Sequence, residues 1–195
     1  AAFGKIHYFI PVFRRAHHPL DGWGAGPFQK AGHHAVRAYH EIFNDALCLV
    51  VLEHDLDLVA ALHAASFPDG WSAASIAALL AGPGAFGLLA SSDGQPSGFI
   101  LVRPAADEAE ILSLAVLPAW RRRGLARCLL AAALERLIAA GIRRLLLEVA
   151  EDNVAARRLY QNAGLVAIGR RPGYYRTGAT ATTALVMALA LDPAG

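Results

Sequence analysis

Two hydrophobic periods alternate along the chain from about residue 47 onward, and they predict an ordered series of strands and helices. Short continuous or alternating apolar runs are typical of strands, whereas apolar residues three or four positions apart indicate one face of a helix. The run LCLVVLE predicts a first strand. Two helices are expected next, over about residues 55–66 and 72–81, with Ser72 as the N-cap of the second.

Three strands are expected after these helices. AFGLLAS and SGFILVRP flank the turn sequence SDGQP and predict a hairpin. EAEILSLAVLP predicts a third strand, and Pro118 ends it because proline lacks the N–H that a strand ladder needs.

The last part of the chain predicts a strand–helix pattern. A helix is expected from about Arg123 to Ala140, and RRLLLEVA has the near-continuous apolar character of a buried strand. Asn153 is the expected N-cap of a further helix, and LVAIGRRPGYY and ALVMALAL predict the last strands. Hairpin strands followed by strand–helix units predict an α/β fold of the α+β type, in which helices flank a central mixed sheet.

Residues 1–45 have a different character. They contain six of the eight histidines, scattered glycine and proline, and no sustained hydrophobic period. His17–His18 and His33–His34 have no carboxylate or cysteine at a ligand spacing around them, so no metal site is expected. The sequence therefore predicts two parts: an irregular N-terminal extension over residues 1–45 and a folded domain over residues 46–195.

Composition limits the class of protein. The chain has 195 residues, of which 55% are hydrophobic and 17% charged, and this indicates a globular protein with one core. Glycine and proline interrupt AALLAGPGAFGLLA, and no apolar run reaches membrane-spanning length. The N-terminus lacks the order of a cleavable signal, and two distant cysteines suggest no disulfide framework. A cytoplasmic setting without membrane contact is the default expectation.

Arginine is concentrated around one predicted helix. The formal net charge is +2, yet seven arginines lie between residues 121 and 144 with only Glu135 opposing them. Such a cluster attracts anionic ligands, although a solvated helix face would look the same. Aromatic residues do not alternate with these arginines, apart from Trp120 at the edge, so nucleic acid is not an expected partner.

The sequence LAVLPAWRRRGLARCLL places the pattern Arg121-x-x-Gly124-x-Ala126 between a strand and a helix. Gly124 can adopt backbone conformations that other residues avoid, and Ala126 adds little bulk. The first N–H groups of the helix and the positive end of its dipole then lie at the same place, and such a place favours binding of a pyrophosphate. The pattern is neither a Rossmann fingerprint nor a P-loop.

This order of motifs resembles the GNAT superfamily of acetyl-CoA-dependent N-acetyltransferases. It is most similar to the RimI-type group, which acetylates the N-terminal amine of a ribosomal protein. The motifs that carry the resemblance are ILSLAVLPAWRRRGLA, RRLLLEVAEDNVAARRLYQNAGL and GRRPGYY, and matching runs from about residue 50 to 190. The chain departs from the group in having Leu165 after a glycine that phenylalanine usually follows, and in lacking an acidic residue in TGATATTALVM.

The resemblance implies a role for each matching residue. Glu148 matches the general base of the group and Tyr160 its general acid, and Tyr174 and Tyr175 would lie beside the acceptor. The strand ending at Leu114–Leu117 would diverge from RRLLLEVA and admit the pantetheine arm, and the N–H groups around Val116 and Leu117 would polarise the thioester carbonyl. The residues implied to bind acetyl-CoA are Leu114, Val116, Leu117, Arg121, Arg122, Arg123, Gly124, Leu125, Ala126 and Asn153.

The residues themselves leave alternatives for several of these roles. A carboxylate inside LLLEVA costs free energy unless it is paired or used, which favours a functional Glu148. Tyr160 has the spacing of a core-edge tyrosine, and Tyr174 and Tyr175 fit either strand aromatics or a cover over a peptide. Cys128 is expected to be a small buried hydrophobic residue.

The leading functional hypothesis is transfer of an acetyl group from acetyl-CoA to the N-terminal α-amine of a protein, such as a ribosomal protein. An α-amine has a pKa of about 7.7–8.0 and is partly protonated at neutral pH, so a base is needed. The alternatives are acetylation of a small amine and a non-catalytic CoA-binding sensor. The sequence leaves the acceptor and the oligomeric state open.

Overall fold

The computed structural model describes residues 39–43, 46–51, 53–177 and 180–191 of the chain. This part contains eight strands, four α-helices and two short 3₁₀ helices, at Glu53–Asp55 and Pro118–Trp120. The strands and α-helices in chain order are β1 (Tyr39–Phe43), β2 (Ala46–Val50), α1 (Leu56–Ser66), α2 (Ala73–Leu80), β3 (Phe86–Ser92), β4 (Gln95–Ala105), β5 (Glu108–Val116), α3 (Leu125–Ala139), β6 (Arg144–Ala150), α4 (Val154–Asn162), β7 (Val166–Thr177) and β8 (Thr180–Ala190).

The strands form one sheet in the order β1-β2-β3-β4-β5-β6-β8-β7. Each neighbouring pair is antiparallel except β5 and β6, which run parallel. The predicted mixed sheet flanked by helices is therefore confirmed. The single parallel pair lies near the middle of the sheet, and helix α3 makes the crossover that connects the parallel strands β5 and β6.

The two faces of the sheet carry different helices. One hydrophobic core packs α3 and α4 against inward residues of β3 to β6, and the other packs α1 and α2 against the opposite face. Helix α3 buries a stripe at the predicted helical spacing, and Cys128 is buried within it as expected. Residues of α3 in the first core include Leu125, Leu129, Ala132, Ala133 and Leu137.

Local signals determine where the helices begin and end. The Ser72 side chain accepts a hydrogen bond from Ser75 N at 3.1 Å, which caps α2 as predicted. Asn153 does the same for α4 through Ala156 N at 3.1 Å. None of the helices in the described residues is long and apolar enough to cross a membrane.

The first strand begins inside the segment predicted to be irregular. β1 covers Tyr39–Phe43 and pairs antiparallel with β2, so these residues belong to the sheet and the expected boundary at residue 45 is too late for them. A five-residue edge strand with histidine and glutamate has a weak period-two signal, which explains the error. His17–His18 and His33–His34 lie outside the described residues.

Strands β5 and β6 pair over only three positions before they diverge. The paired residues are Glu108–Glu110 of β5 and Arg144–Leu146 of β6. Both strands continue for several residues beyond this point, as β5 ends at Val116 and β6 at Ala150. The divergence opens a gap in the sheet between the two strands.

Candidate active site

A cleft occupies the gap where β5 and β6 diverge. Side chains from both strands line it, together with Phe67 after α1 and residues from the start and middle of α4. Glu148 and Tyr160 therefore lie on the same cleft, as do Leu114 and Asn153 from the predicted set. The lining residues are Phe67, Ile111, Ser113, Leu114, Leu147, Glu148, Val149, Ala150, Asn153 and Tyr160.

Glu148 lies on β6 with its side chain on the α1/α2 face of the sheet. Its neighbours Leu147 and Val149 belong to the core on the other face, and alternate strand residues point to opposite faces. The side chain is 10% exposed, and its Oε1 lies 3.0 Å from Arg171 Nε. The carboxylate is therefore nearly buried and paired with a guanidinium. This pairing offsets the free-energy cost of burying a charge within LLLEVA.

Tyr174 is the second partner of Glu148. Its hydroxyl hydrogen-bonds the carboxylate, and burial together with this carboxylate raises the pKa of Tyr174 to about 12. The Arg171 guanidinium also lies over the Tyr174 ring, 5.6 Å from its centroid. Arg171, Tyr174 and Glu148 thus form one contact network at the β7 side of the cleft.

Tyr175 is more deeply buried than its neighbour Tyr174. Its ring meets that of Tyr174 edge-on at 5.2 Å, but the side chain packs against Ala150 and Ala184 and is 2% exposed. Burial raises the pKa of Tyr175 well above its usual range. Tyr175 is therefore a buried strand aromatic, whereas an acceptor-covering role stays a prediction for Tyr174.

Tyr160 reaches the cleft from the opposite face of the sheet. It packs in the core with α3 and is buried, yet it also lines the cleft. Burial raises the pKa of Tyr160 well above its usual range, so the hydroxyl stays protonated across the neutral range. Tyr160 therefore lies at the edge of the core and also lines the cleft.

The backbone of β5 presents two of the predicted residues to the gap. Leu117 N donates to Ser97 O at 2.8 Å, so these residues form a hydrogen-bonded pair across β4 and β5. The adjacent pair Gly98–Val116 is then of the non-hydrogen-bonded kind, and the Val116 N–H points away from β4 toward the gap. Leu114, two positions earlier, shares this direction.

The same hydrogen bond corrects the prediction for Leu117. Its N–H is already used by the Ser97 carbonyl and faces β4, away from the gap. Gly98 permits this close approach, because a Cβ there would lie 2.6 Å from Ala115 O. Of the two N–H groups proposed to polarise a carbonyl, only that of Val116 is directed to the cleft.

The loop before α3 has the conformation that the glycine pattern predicts. Gly124 is the N-cap residue of α3 at φ +85, and Arg122 also lies in the left-handed region at φ +66. The glycine accommodates this conformation without a Cβ penalty. Alternating backbone conformations before a helix direct successive N–H groups toward one point, which suits an anion.

The three arginines of this loop differ in position. Arg121 is half-buried, and its Nε donates a hydrogen bond to Val116 O at 3.0 Å. This hydrogen bond connects the loop to β5. Arg123 stacks on Trp120, with its guanidinium carbon 4.7 Å from the ring centroid, and lies 3.9 Å from Asp93. Arg122 and Arg123 are exposed and remain able to meet an anion.

Sequence analysis assigned no role to two polar residues, Ser113, which lines the cleft, and Arg171, which contacts Glu148. Arg171 lies in the GRRPGYY segment, where Gly173 has φ +62 and the β7–β8 register shifts between Arg171 and Tyr175. This irregularity lets Arg171 and Tyr174, three positions apart, approach the same carboxylate. A Pro-Gly pair inside a strand pattern is a signal of such a bulge, but it does not name the partner.

No cluster of three or more His, Cys, Asp and Glu side chains that could hold a metal occurs among the described residues. Acidic residues near the β4–β5 turn are matched by arginines: Glu110 pairs with Arg103 at 2.9 Å and Glu108 with Arg144 at 3.0 Å. The groups arranged around the cleft are thus a carboxylate, hydroxyls, backbone N–H groups and a cationic loop. This set suits proton transfer next to an anionic ligand.

Comparison with known proteins agrees with this arrangement. Residues 56–165 match the model of the acetyltransferase (GNAT) family. The chain is 34% identical over 102 residues to the [ribosomal protein bS18]-alanine N-acetyltransferase of Salmonella typhimurium, a match that covers 52% of this chain and 69% of that protein. The enzyme of the same name from Haemophilus ducreyi is 38% identical over 94 residues, covering 48% and 65% of the two chains.

A solved structure shows the same fold. The crystal structure of the ribosomal-protein-S18-alanine N-acetyltransferase from Escherichia coli superimposes with a TM-score of 0.71 and 28% sequence identity. The superposition covers 77% of this chain and 96% of that one. The fold and the cleft define an acyl-transferring enzyme, and the chain belongs to the GNAT family of acetyltransferases.

Proposed function

We propose that this acetyltransferase moves the acetyl group of acetyl-CoA to the N-terminal α-amine of a protein, by direct attack in a ternary complex. The observation that supports the proposal is that Glu148 and Tyr160 reach one cleft from opposite faces of the sheet. The names of the most similar relatives support a protein acceptor, for which a ribosomal protein is the first candidate.

Acetyl-CoA fits the groups that surround the cleft. The left-handed loop at Arg122 and Gly124 and the start of α3 offer N–H donors and positive charge for the pyrophosphate. The gap between β5 and β6 is open to an extended pantetheine arm, and the backbone of Leu114 and Val116 faces it. Asn153 lines the same cleft, with its Oδ1 engaged in capping α4 and its amide N–H₂ at the arm.

The reaction then proceeds through groups of this chain. Glu148 accepts a proton from the acceptor ammonium, directly or through a water, and the neutral amine attacks the thioester carbonyl carbon. The Val116 N–H stabilises the negative charge that develops on the carbonyl oxygen. The C–S bond breaks, and the leaving thiolate takes the proton of Tyr160, which burial keeps protonated. The attacking nitrogen loses its second proton to solvent, and Tyr160 recovers a proton from solvent.

The charges at the acceptor side favour a peptide over a polycation. Arg171 lies beside Glu148, so a polyamine or an aminoglycoside would meet a guanidinium at the base. The acidic residues Glu108 and Glu110 are paired with arginines and offer no open acidic pocket. A peptide carries a single terminal ammonium and an uncharged backbone, so it meets less of this repulsion than a polycation does.

Thiol release tests the proposal directly. The protein is incubated with acetyl-CoA and peptides that differ in their first residue, with free lysine and spermidine as competing acceptors. Peptides starting with a small residue such as alanine are expected to give a kcat/KM at least tenfold above either free amine. Equal or faster turnover of the free amines would establish the small-amine alternative.

A further inference from the structure

Ser113 lies at the same level of the sheet as Glu148, on the facing strand. Between β4 and β5 the register runs from Arg103↔Glu110 to Leu101↔Ser113, so two steps along β4 correspond to three residues of β5. Leu112 is the extra residue of this bulge. Glu110 pairs with Leu146, and two steps beyond Leu146 is Glu148. The bulge therefore brings Ser113 level with Glu148 across the gap.

Both side chains also share one face of the sheet. Ser113 pairs with Leu101, which belongs to the core on the α1/α2 face, and residues paired across antiparallel strands point to the same side. Glu148 is on this face as well, because its neighbours Leu147 and Val149 pack on the other one. Both residues line the cleft.

The hydroxyl of Ser113 has no hydrogen-bond partner in the protein. The residue is 2% exposed, and its Oγ is a buried atom without a donor or acceptor in contact. Native proteins satisfy the large majority of buried polar side-chain atoms, so an unsatisfied one in a cleft indicates a group that pairs with something bound there.

We propose that Ser113 is an acceptor-binding residue, whose hydroxyl accepts a hydrogen bond from the attacking amine opposite Glu148. This rests on the acetyl transfer proposed above. Once Glu148 has taken the proton of the ammonium, the remaining N–H hydrogen bond to Ser113 holds the nitrogen in the cleft while its lone pair turns to the thioester between β5 and β6. Ser113 forms no covalent bond and keeps its own proton throughout the step.

The decisive variant is Ser113→Ala, with Ser66→Ala as its matched control. Ser66 is also 2% exposed with an unpartnered hydroxyl, but it lies at the end of α1 and does not line the cleft. Ser113→Ala is expected to lower kcat/KM for the acceptor about tenfold, equivalent to about 1.4 kcal/mol, and to leave the KM for acetyl-CoA unchanged. Ser66→Ala should leave both constants unchanged.

Thermal unfolding separates binding from a structural role. Removing an unsatisfied buried hydroxyl does not cost stability, so both variants should keep or raise the Tm of the parent protein. A lower Tm for Ser113→Ala, or an acceptor kcat/KM equal to that of the parent, would overturn the assignment.

The assay uses whichever amine the parent protein acetylates fastest. If that amine is a small molecule, the proposed protein acceptor is wrong, and the Ser113 comparison is still decided with the small amine. If the acceptor is a peptide and Ser113→Ala behaves like Ser66→Ala, only the role of Ser113 fails.

Discussion

Glu148 carries its charge in a nearly buried position because two side chains of β7 surround it. Arg171 contributes a guanidinium at 3.0 Å and Tyr174 a hydroxyl. These two contacts fix the position of the carboxylate beside the cleft that it lines.

Replacing Glu148 by glutamine should separate binding from chemistry. The amide keeps the shape of the side chain but cannot take a proton, so kcat is expected to fall about a hundredfold at neutral pH. Part of the loss should be recovered at high pH, where the amine is already neutral. Calorimetry should find acetyl-CoA affinity unchanged, and an unaltered kcat would assign the base to another group.

Arg171→Gln should lower the rate of acetyl transfer. Loss of the guanidinium removes the contact at 3.0 Å that positions Glu148 Oε1, and kcat/KM is expected to fall about tenfold in steady-state kinetics. The hydrogen bond between Tyr174 and Glu148 remains in this variant.

The control for this variant is the adjacent arginine. Arg170 pairs through Nη2 with both carboxylate oxygens of Glu151, at 2.6 and 2.7 Å, away from Glu148. Arg170→Gln should leave kcat/KM unchanged, and Arg171→Lys should lower it less than Arg171→Gln does. Equal losses in the two glutamine variants would mean that overall charge, and not contact with Glu148, causes the effect.

At the scale of elements, the shape of the loop before α3 depends on the backbone conformation of Gly124 more than on side-chain packing around it. A Cβ at Gly124 would meet no atom within 4 Å, so a substitution there acts through its φ of +85. Gly124→Val is expected to weaken acetyl-CoA binding tenfold or more, because β-branched residues avoid this region. Titration calorimetry measures the change.

Gly141 offers a control of the same kind. It lies after α3 at φ +76 with no atom within 4 Å of a Cβ, far along the helix from the loop. Gly141→Val should strain the backbone to a similar degree and leave acetyl-CoA affinity unchanged. Matching losses of affinity in the two variants would show that the effect is general destabilisation.

Helix α1 contains a buried histidine that contacts the connection to α2. His63 stacks on Trp71 at 4.5 Å, and its Nδ1 accepts a hydrogen bond from Trp71 N at 3.1 Å. Burial lowers the pKa of His63 to about 4, below the value of about 6.5 for an unfolded chain. Between these values the unfolded state binds a proton that the folded state does not, so stability falls as the pH is lowered.

Thermal unfolding at several pH values should reveal this dependence. The Tm of the parent protein is expected to fall between pH 6.5 and pH 4 by more than that of His63→Gln, which does not titrate. His54→Gln, at a side chain that is 64% exposed, should behave like the parent. A His63→Gln variant whose Tm falls as steeply as the parent's would refute a role for this histidine.

Periodicity predicted most elements because burial on one face leaves a local trace in the sequence. The stripe on α3 and the caps Ser72 and Asn153 were readable in this way. The weak alternation of β1 could not be recognised in the sequence in this way. The bulge at Leu112 and the contact between Arg171 and Glu148 depend on which strands become neighbours, and a single sequence does not encode that pairing locally.

At the scale of the molecule, the diverging parallel pair joins the two faces of the sheet. Tyr160 approaches from the face of α3 and α4, whereas Glu148 lies on the face of α1 and α2. The cationic loop lies at the start of α3, and Arg171 lies on β7 at the other side of the cleft. Under the proposed function, the cofactor would bind at the loop before α3 and the acceptor at the Arg171 side of the cleft.

The most direct test of the account locates the transferred acetyl group. One peptide that begins with alanine and carries an internal lysine is incubated with the protein and acetyl-CoA near pH 7, and fragmentation mass spectrometry identifies the modified nitrogen. The account predicts acetylation of the N-terminal α-amine, because that amine loses its proton more readily and the peptide end can enter the cleft. Acetyl groups found mainly on the lysine side chain would contradict it.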